Sequence, residues 1–461
     1  MIFKFLSLLY FVFFIIYFFT FFLLLLGAYI SIKRIRKKTF WAREDILKNL
    51  KFCLPKVSLV IPAFNEEKTI SQSLLSFLEN DYPNLEIIIV NDGSKDNTLE
   101  ILKKDFLFFP SYIKQKSFLP HEPVIRTYKS QRYEKLILID KLNGGKADAL
   151  NCGINFATGE KFCFVDADVI LPKESLIRAV LPHILDKEVV GTGGFIRLRN
   201  GSEVSSSKYK IKVPEKNIER IQILEYLRAF SLGRAGWDLI NGEVIISGAY
   251  GIFHSEIVRE VGGFQRFSIG EDMEIVVRIH KRLKEQNKKY KILIVPDALC
   301  WTEAPDNFED LIKQRKRWQK GLLTTLLLHR DIFFKPKYGA IGTFVFPYFL
   351  FFELLSPFIE FLGILIILAG FLLNFITFKT LMAIILLPLL IGFFQNNLTL
   401  LLHFILFPFY RSFKWLLLLI FSNFQEMTYY HYLLNIQKIK SVFEFFSQFH
   451  LKGGWVSPKR I

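Results

Sequence analysis

The 461-residue chain has few cysteines and fewer acidic than basic residues. Its four cysteines, Cys53, Cys152, Cys163 and Cys300, are dispersed without metal-ligand spacing. This argues against a cysteine metal site or a disulfide scaffold and indicates a reducing compartment. Lys and Arg number 60 against 43 Asp and Glu, a formal net charge of +17. Such a charge suits nucleic acid, anionic lipid or an anionic substrate.

Apolar residues, by contrast, make up 51% of the chain, more than a water-soluble globule normally carries. Residues 5–30 are almost uninterrupted apolar sequence and predict a transmembrane helix within segment 1–31. A basic juxtamembrane linker is predicted over 32–54, in contact with anionic lipid. By the positive-inside rule, its bases place the chain that follows in the cytosol. The basic cluster comprises Lys33, Arg34, Arg36, Lys37 and Lys38.

The C-terminal part, 331–435, is predicted to form transmembrane and interfacial helices. Residues 348–371 and 381–407 are each long enough to span a bilayer, and the loop with Arg411 and Lys414 would face inside. Residues 415–434 are apolar only in their first half. We interpret them as an interfacial helix with a cytosolic tail, 436–461, because a third span would place the basic C-terminus outside.

Between these regions, residues 55–330 alternate short β-rich runs with amphipathic helices and predict one cytosolic α/β domain. Strands are expected at 57–61, 86–90, 136–139, 189–192, 195–198 and 292–296, with an irregular insertion over 106–134. The first two strand, loop and helix units in succession are typical of a nucleotide-binding sheet.

Two carboxylates, Asp166 and Asp168, end an apolar run over 161–169 that predicts a buried strand. Residues two apart on a strand point to the same side, so both would face the ligand-binding edge of the sheet. Carboxylates so close repel unless a cation lies between them, and a divalent ion that also takes diphosphate oxygens suits the pair. The alternative is a polar loop with two solvated acids.

Further polar residues follow predicted strands or begin predicted helices. Asp92 stands in Asn-Asp-Gly-Ser, where it could accept from ribose or base donors or could simply serve the turn. Lys146 follows two glycines and could reach a diphosphate or remain a solvated loop lysine. Asp272 could accept a proton, or could, with Glu271 and Glu274, cap the following helix.

A predicted helix over 308–328 carries Gln314, Arg317 and Trp318 on one face, at positions i, i+3 and i+4. Arg317 could bind departing phosphates, Gln314 could orient them, and Trp318 offers a flat surface for a sugar ring. The alternative is a basic helix on anionic lipid, which competes mainly for Arg315 and Lys316.

Taken in order, these motifs resemble the membrane-embedded glycosyltransferases of family 2, the group that contains cellulose, hyaluronan and poly-N-acetylglucosamine synthases. The resemblance covers about residues 55–330. Its motifs are Ala63-Phe64-Asn65-Glu66, Asn91-Asp92-Gly93-Ser94, Lys146, Asp166-Ala167-Asp168, Ser247-Gly248, Glu271-Asp272 and Gln314-x-x-Arg317-Trp318.

The resemblance implies a GT-A-type nucleotide-sugar-binding domain, a Rossmann-like mixed sheet, beside transmembrane helices. It implies that Asp92 contacts the base or ribose, with Ala63, Phe64, Asn65 and Glu66 on the loop beside it. Asp168 would bind Mg²⁺ or Mn²⁺, and Asp166 would hold the ribose side or support the metal. Asp272 would be the general base, and Ser247 and Gly248 would line the acceptor channel with the Gln314, Arg317 and Trp318 face.

The function so implied is inverting transfer from a UDP-sugar, UDP-N-acetylglucosamine or UDP-glucose, onto a growing β-linked polysaccharide at the inner membrane face. Two alternatives are non-processive transfer to a membrane lipid or other glycan, and an inactive partner of a glycan-export complex. Expected partners are the donor, a glycan or lipid acceptor, membrane lipids, and export or accessory subunits. Nucleic acid is not expected, because the basic surplus is conspicuous beside the first span rather than on the soluble domain.

Overall fold

A computed structural model of the protein describes residues 2–49, 54–407 and 412–451. The predicted loop residue Arg411, the end of the predicted tail and Cys53 lie outside these residues. The chain forms two compact units. A sheet unit comprises residues 31–211 and 241–303, and a helical unit comprises residues 2–30, 212–240 and 304–451 within the described ranges.

The sheet unit contains a nine-stranded sheet and a two-stranded hairpin. The nine strands are β1 Val57–Ala63, β2 Leu85–Asp92, β3 Phe108–Pro110, β4 Val124–Ser130, β5 Leu136–Lys141, β6 Lys161–Phe164, β7 Val189–Leu198, β10 Gly251–His254 and β11 Lys291–Thr302. The hairpin pairs β8 Glu203–Val204 with β9 Tyr209–Lys210.

The large sheet has the order β11-β7-β10-β6-β1-β2-β5-β4-β3. Strand β1 pairs in parallel with β2 and β6, while β10 runs antiparallel between β6 and β7. The central strands are buried on both faces, as expected for parallel strands covered by helices, and Val60, Ile88 and Phe162 belong to the core. The mixed α/β sheet is therefore as predicted, and the carboxyl ends of β1, β2, β5 and β6 meet at one edge.

Helices of the sheet unit cover this sheet. They are α2 Ile70–Leu78, α3 Thr98–Asp105, α4 Lys146–Phe156, α5 Ser175–Leu185, α8 Ser255–Glu260 and α9 Glu271–Glu285. Helix α4 is the most enclosed, with every residue from Ala147 to Phe156 buried.

Three local predictions were wrong. The irregular segment 106–134 contains β3 and β4, whose short runs carry no clean alternation. Residues 189–198 form one strand that continues through Gly193 and Gly194, where the register with β11 shifts, and the missing side chain of Gly194 makes room for the Tyr250 ring. Strand β6 ends at Phe164, so Asp166 and Asp168 lie in the turn after it and the strand-spacing argument does not apply to them.

The helical unit consists of helices that range from 3 residues to 29 residues, together with the first part of α1. They are the first part of α1 Ile2–Asn49, then α6 Asn217–Arg228, α7 Ala235–Trp237, α10 Phe308–Leu328, α11 Phe346–Tyr348, α12 Ser356–Leu372, α13 Phe378–Leu406, α14 Phe413–Gln425 and α15 His431–Leu451. Wider π-helical turns follow α6 at Ala229–Arg234 and precede α15 at Glu426–Tyr430.

In the part of the chain that the structure describes, two helical stretches are long and apolar enough to cross a membrane, Leu8–Thr39 and Phe378–Leu406. The predicted span at 348–371 falls within a pair of helices, Ile341–Leu354 and Ser356–Leu372, that are bent by 50° and give a third candidate if the pair is one broken span. Among the described residues, neither α14 nor α15 passes the same test, and the interfacial interpretation of 415–434 stays a prediction.

The segment predicted as a basic linker over 32–54 is helical as far as Asn49, because α1 continues to that residue. Lys and Arg are good helix formers, and Pro55 is the first proline after the apolar run. One of the bases, Arg36, donates to the Asp297 carboxylate at 2.8 Å. The first predicted span and the predicted linker as far as Asn49 thus belong to one helix.

The boundary predicted at residue 330 also differs from the observed one. Helices α6 and α10 belong to the helical unit, where Ile221 and Leu311 pack with Tyr430 and Leu434. The predicted tail is helical as far as Leu451, and its Glu444 pairs with Lys316 at 2.6 Å. An amphipathic pattern indicates that a helix is half buried without indicating against what, which explains the error.

Candidate active site

The loop after β1 carries the first predicted group. Ala63 ends the strand, and Asn65 has a left-handed backbone with φ 58°. The Asn65 side chain accepts from Lys95 N at 2.8 Å, and Glu66 N donates to Thr98 Oγ1 at 2.8 Å, so the loop is bound to the segment after β2. Burial, reinforced by the charges of Asp168 and Asp166, raises the pKa of Glu66 to about 7. Glu66 therefore belongs to the same electrostatic cluster as the two later acids.

Asp92, the last residue of β2, is 1% exposed and holds the glycine-rich turn. Its Oδ1 accepts from Lys141 Nζ at 2.6 Å and from Gly144 N at 3.0 Å. Its Oδ2 accepts from Gly145 N at 2.7 Å and from the Asn143 amide at 3.1 Å. The predicted contact with base or ribose would have to compete with these four donors. Burial raises the pKa of Asp92, partly offset by Lys141.

Lys146 is the first residue of α4 and lies among the acids of the site. Gly145 before it has φ 92°, a conformation that favours glycine. The Lys146 ammonium lies 2.5 Å from Asp166 Oδ1 and 3.3 Å from Glu271 Oε1. Burial alone would lower the pKa of Lys146, but Asp166 and Glu271 outweigh it and the pKa is raised. Lys146 is therefore positively charged at neutral pH. Its contacts with Asp166 and Glu271 distinguish it from the solvated loop lysine of the alternative.

Asp166 and Asp168 form the centre of the site. Asp168 accepts from Thr302 Oγ1 at 3.4 Å. Burial, followed by repulsion from Asp166, raises the pKa of Asp168 to about 6. Burial and Asp166 both disfavour the ionised form of Asp168, and a bound cation would stabilise that form.

The two carboxylates fit the divalent ion that the sequence predicts. Among the residues that the structure describes, no group of three His, Cys, Asp or Glu side chains is arranged to hold a metal. A pair of carboxylates without a full protein cage suits Mg²⁺ or Mn²⁺, because such ions in phosphate-transfer sites take their other ligands from diphosphate and water.

Gly248 and Asp272 complete the site on its other side. Gly248 N donates to Asp272 Oδ2 at 3.3 Å, and Asp272 lies in the first turn of α9 next to Glu271. A side chain at Gly248 would meet Lys146 Nζ at 2.6 Å. Ser247 accepts through Oγ from Ala249 N at 3.3 Å, so it serves the same turn. A side chain at residue 248 would therefore displace the Lys146 ammonium from its place beside Asp272.

Gln314, Arg317 and Trp318 form a second group, on α10 of the helical unit. Arg317 is exposed and Trp318 is 44% exposed. The lipid-facing alternative does not fit Arg315, because its side chain is buried and pairs with Glu225. Its guanidinium carbon lies 4.2 Å from the centroid of the Trp318 ring. Arg315 also donates to Gln314 Oε1 at 2.5 Å, so it supports the predicted face.

Several residues around the site carry no signal in the sequence pattern. Lys141 ends a strand that reads simply as apolar, and Asp148 and Asn151 lie in an otherwise small or apolar helix. Each is fully buried and bonded to a residue distant in the sequence. A buried charge inside a strand or helix is the only hint that such partners exist.

The fold and this cluster of acids, glycines and one lysine define a sugar-nucleotide transferase of the GT-A class. The fold resembles that of the "Mannosyltransferase PcManGT from Pyrobaculum calidifontis in complex with GDP-Man and Mn2+", with a TM-score of 0.51, 17% identity, and coverage of 88% of this chain and 99% of that one. The chain matches "Glycosyl transferase family 2" over residues 58–115 and 122–246 and "Glycosyl transferase family group 2" over residues 218–436.

The chain therefore belongs to family 2 of the glycosyltransferases and is a glycosyltransferase by class. It is 27% identical over 290 residues to a poly-beta-1,6-N-acetyl-D-glucosamine synthase of Staphylococcus epidermidis, covering 63% of this chain and 59% of that protein. It is 29% identical over 309 residues to the probable glycosyltransferase YdaM of Bacillus subtilis, covering 65% of this chain and 64% of that protein. The chain thus matches about three fifths of the length of these curated relatives.

Proposed function

We propose that the protein transfers a sugar from a UDP-sugar, UDP-N-acetylglucosamine or UDP-glucose, onto a growing β-linked polysaccharide with inversion at the anomeric carbon. The observation that carries the proposal is the meeting of Lys146, Asp166, Asp168, Gly248 and Asp272 at one edge of the sheet, with direct contacts from Lys146 to Asp166 and from Gly248 to Asp272. The similarity to a poly-N-acetylglucosamine synthase favours this acceptor class over a lipid acceptor.

In this proposal Asp272 accepts the proton of the acceptor hydroxyl. The hydroxyl oxygen forms a bond to the anomeric carbon as the bond from that carbon to the diphosphate oxygen breaks, and UDP leaves with the electron pair. Attack from the face opposite the leaving group inverts the configuration. Gly248 N holds the Asp272 carboxylate, leaving room beside Lys146 because residue 248 has no side chain.

Lys146 offsets the charge that develops on the leaving diphosphate. Asp166 and Asp168 would hold the Mg²⁺ or Mn²⁺ ion, which supplies further positive charge next to the same phosphates when bound. Arg317 and Gln314 are proposed to contact the diphosphate and Trp318 to stack on a sugar ring, each by the chemistry of its side chain. The loop Ala63–Glu66 is proposed to line the nucleotide.

The protein is proposed to work as a multi-pass protein of the cell (inner) membrane with its sheet unit in the cytosol, where UDP-sugars are made. The support comes from the candidate spans in α1 and α13 and from the basic residues that follow the first apolar run. This orientation would bring donor and acceptor together at the inner face, and export or accessory subunits would act on the product.

The test is a panel of labelled UDP-sugars given to membranes that contain the full chain, with Mg²⁺ or Mn²⁺. The product is sized and digested with linkage-specific glycosidases. We expect one donor to yield a long β-linked polymer. Incorporation into a single short lipid product would replace the polymer with the lipid-acceptor alternative. No incorporation from any donor, with donor binding intact, would favour the inactive-partner alternative.

A further inference from the structure

Helix α4 buries two polar residues, Asp148 and Asn151, three positions apart and therefore on one face of the helix. They are 0% and 1% exposed. A buried carboxylate or amide destabilises a fold unless its hydrogen bonds are made. Asn151 makes its shortest hydrogen bonds to the loop between Val261 and Gly270, which leads from α8 into α9, and Asp148 pairs with Arg266 of the same loop.

The Asn151 side-chain amide holds the start of this loop by hydrogen bonds to both backbone groups of Phe264, as a backbone amide would in a strand pair. Its Oδ1 accepts from Phe264 N at 2.7 Å and its Nδ2 donates to Phe264 O at 2.9 Å. Gly263 has φ 67°, and a side chain there would meet Asn151 Oδ1 at 2.5 Å. Asn151 thus holds the turn formed by Val261-Gly262-Gly263-Phe264.

Asp148 holds the same loop by charge. Its Oδ2 lies 2.7 Å from Arg266 Nε, and its Oδ1 lies 2.6 Å from the buried Lys141 ammonium. Arg266 also pairs with Glu122, whose backbone N donates to both Asp148 oxygens at 3.0 and 3.1 Å. The cluster therefore alternates acid and base, from Asp92 through Lys141 and Asp148 to Arg266, so no charge in it is left uncompensated.

The two ends of this cluster lead to the two sides of the active site. Asp92 holds the turn of Gly144 and Gly145, from which α4 begins at Lys146. Five residues beyond Arg266, α9 begins with Glu271 and Asp272. The close approach of Lys146 to Glu271, at 3.3 Å, joins the first turns of the two helices.

We propose that Asp148, Asn151 and Arg266 are positioning residues that fix the distance between the phosphate-side Lys146 and the acceptor-side Asp272. In this proposal they act by holding the helices that carry Lys146 and Asp272. The inference rests on the proposed function, because the distance matters only if Lys146 and Asp272 act in one transfer step. A misplacement of about 1 Å can cost about 100-fold in rate.

Arg266 is the residue to change first, because its side chain is 38% exposed and its loss does not open the core. Arg266→Gln removes the charge, and Arg266→Lys keeps it without the fork that reaches both Asp148 and Glu122. Arg282→Gln is the matched control, since Arg282 also pairs with a glutamate, Glu260, at 2.7 Å but lies in the last turn of α9.

The full chain is assayed in membranes for kcat and donor KM, and in detergent for UDP affinity and apparent unfolding temperature. We expect Arg266→Gln to lower kcat about tenfold or more while UDP affinity stays within about twofold, with Arg266→Lys in between and Arg282→Gln at the wild-type rate. Unchanged kcat in Arg266→Gln, or equal losses in kcat and folded protein, would overturn the positioning role.

Asn151→Asp provides a second arm, because aspartate can accept from Phe264 N but cannot donate to Phe264 O. The same separation of kcat from UDP affinity is expected, and its absence in a folded variant would count against the proposal. If the wild-type chain transfers no sugar from any donor, the proposed function fails. If the wild type transfers and the two variants match it, only the positioning role fails.

Discussion

Replacing Asp168 by Asn should make the ligand-free protein more stable while it abolishes transfer. The pKa of Asp168 is raised from an ordinary 3.8 to about 6 by burial and by Asp166, so its ionised form opposes folding at neutral pH. The shift of roughly two units corresponds to at most about 3 kcal/mol, at about 1.4 kcal/mol per unit. Because Asp168 is only half-buried, solvent screening reduces this to about 1–2 kcal/mol.

The sign of the pH dependence follows from the direction of the shift. Below the ordinary pKa near 3.8 the carboxyl is protonated in both states and opposes nothing. The destabilisation develops as pH rises from about 4 to about 6 and is complete above about 6. The stability advantage of Asp168→Asn should therefore be present at pH 7.5 and disappear near pH 4.

The assay is the apparent unfolding temperature of the full chain in detergent, where each kcal/mol corresponds to about 2–4 °C for a domain of this size. UDP with Mn²⁺ should raise this temperature in the wild type and not in Asp168→Asn. Asp186→Asn is a control of opposite sign, because Lys291 lowers the pKa of Asp186 and its loss should destabilise the fold. A lower unfolding temperature for Asp168→Asn at pH 7.5 would refute the reasoning.

Two further predictions concern other parts of the site. Gly248→Ala should lower transfer about tenfold, because the added carbon meets Lys146 Nζ at 2.6 Å. Gly233→Ala is the control and should keep the wild-type rate, because the nearest atom there is 3.7 Å away. Equal activity of the two variants would contradict the role of residue 248. Arg315→Gln should lower the unfolding temperature, because it leaves Glu225 without its buried partner. Arg317→Gln should lower transfer and leave the unfolding temperature unchanged, because Arg317 is exposed. The reverse pattern would contradict the roles given to these two residues of α10.

The parts of this structure that follow from local sequence were predictable. The polar residues after β1 and β2, and those that begin α4 and α9, come where an apolar run stops, so their place at a strand or helix end could be predicted. Long apolar runs likewise predicted the long apolar helices that are the candidate spans in α1 and α13.

What could not be predicted depends on contacts between distant residues. The pairing of Lys141 with Asp92 and Asp148 joins three elements, and nothing in the order of residues encodes it. The position of Asp168 in a turn depends on where β6 ends. The length of α1 depends on the helix continuing from the apolar run into the basic segment that follows it. The place of α6 and α10 in the helical unit was missed because an amphipathic face does not identify its partner.

The most direct test of the central claim compares the wild type with Asp272→Asn in the same membranes, using the donor that the panel identifies and measuring UDP affinity in parallel. We expect transfer to fall about 100-fold or more, as for loss of a general base, while UDP binds as before. Transfer at the wild-type rate in Asp272→Asn would contradict the assignment of this site.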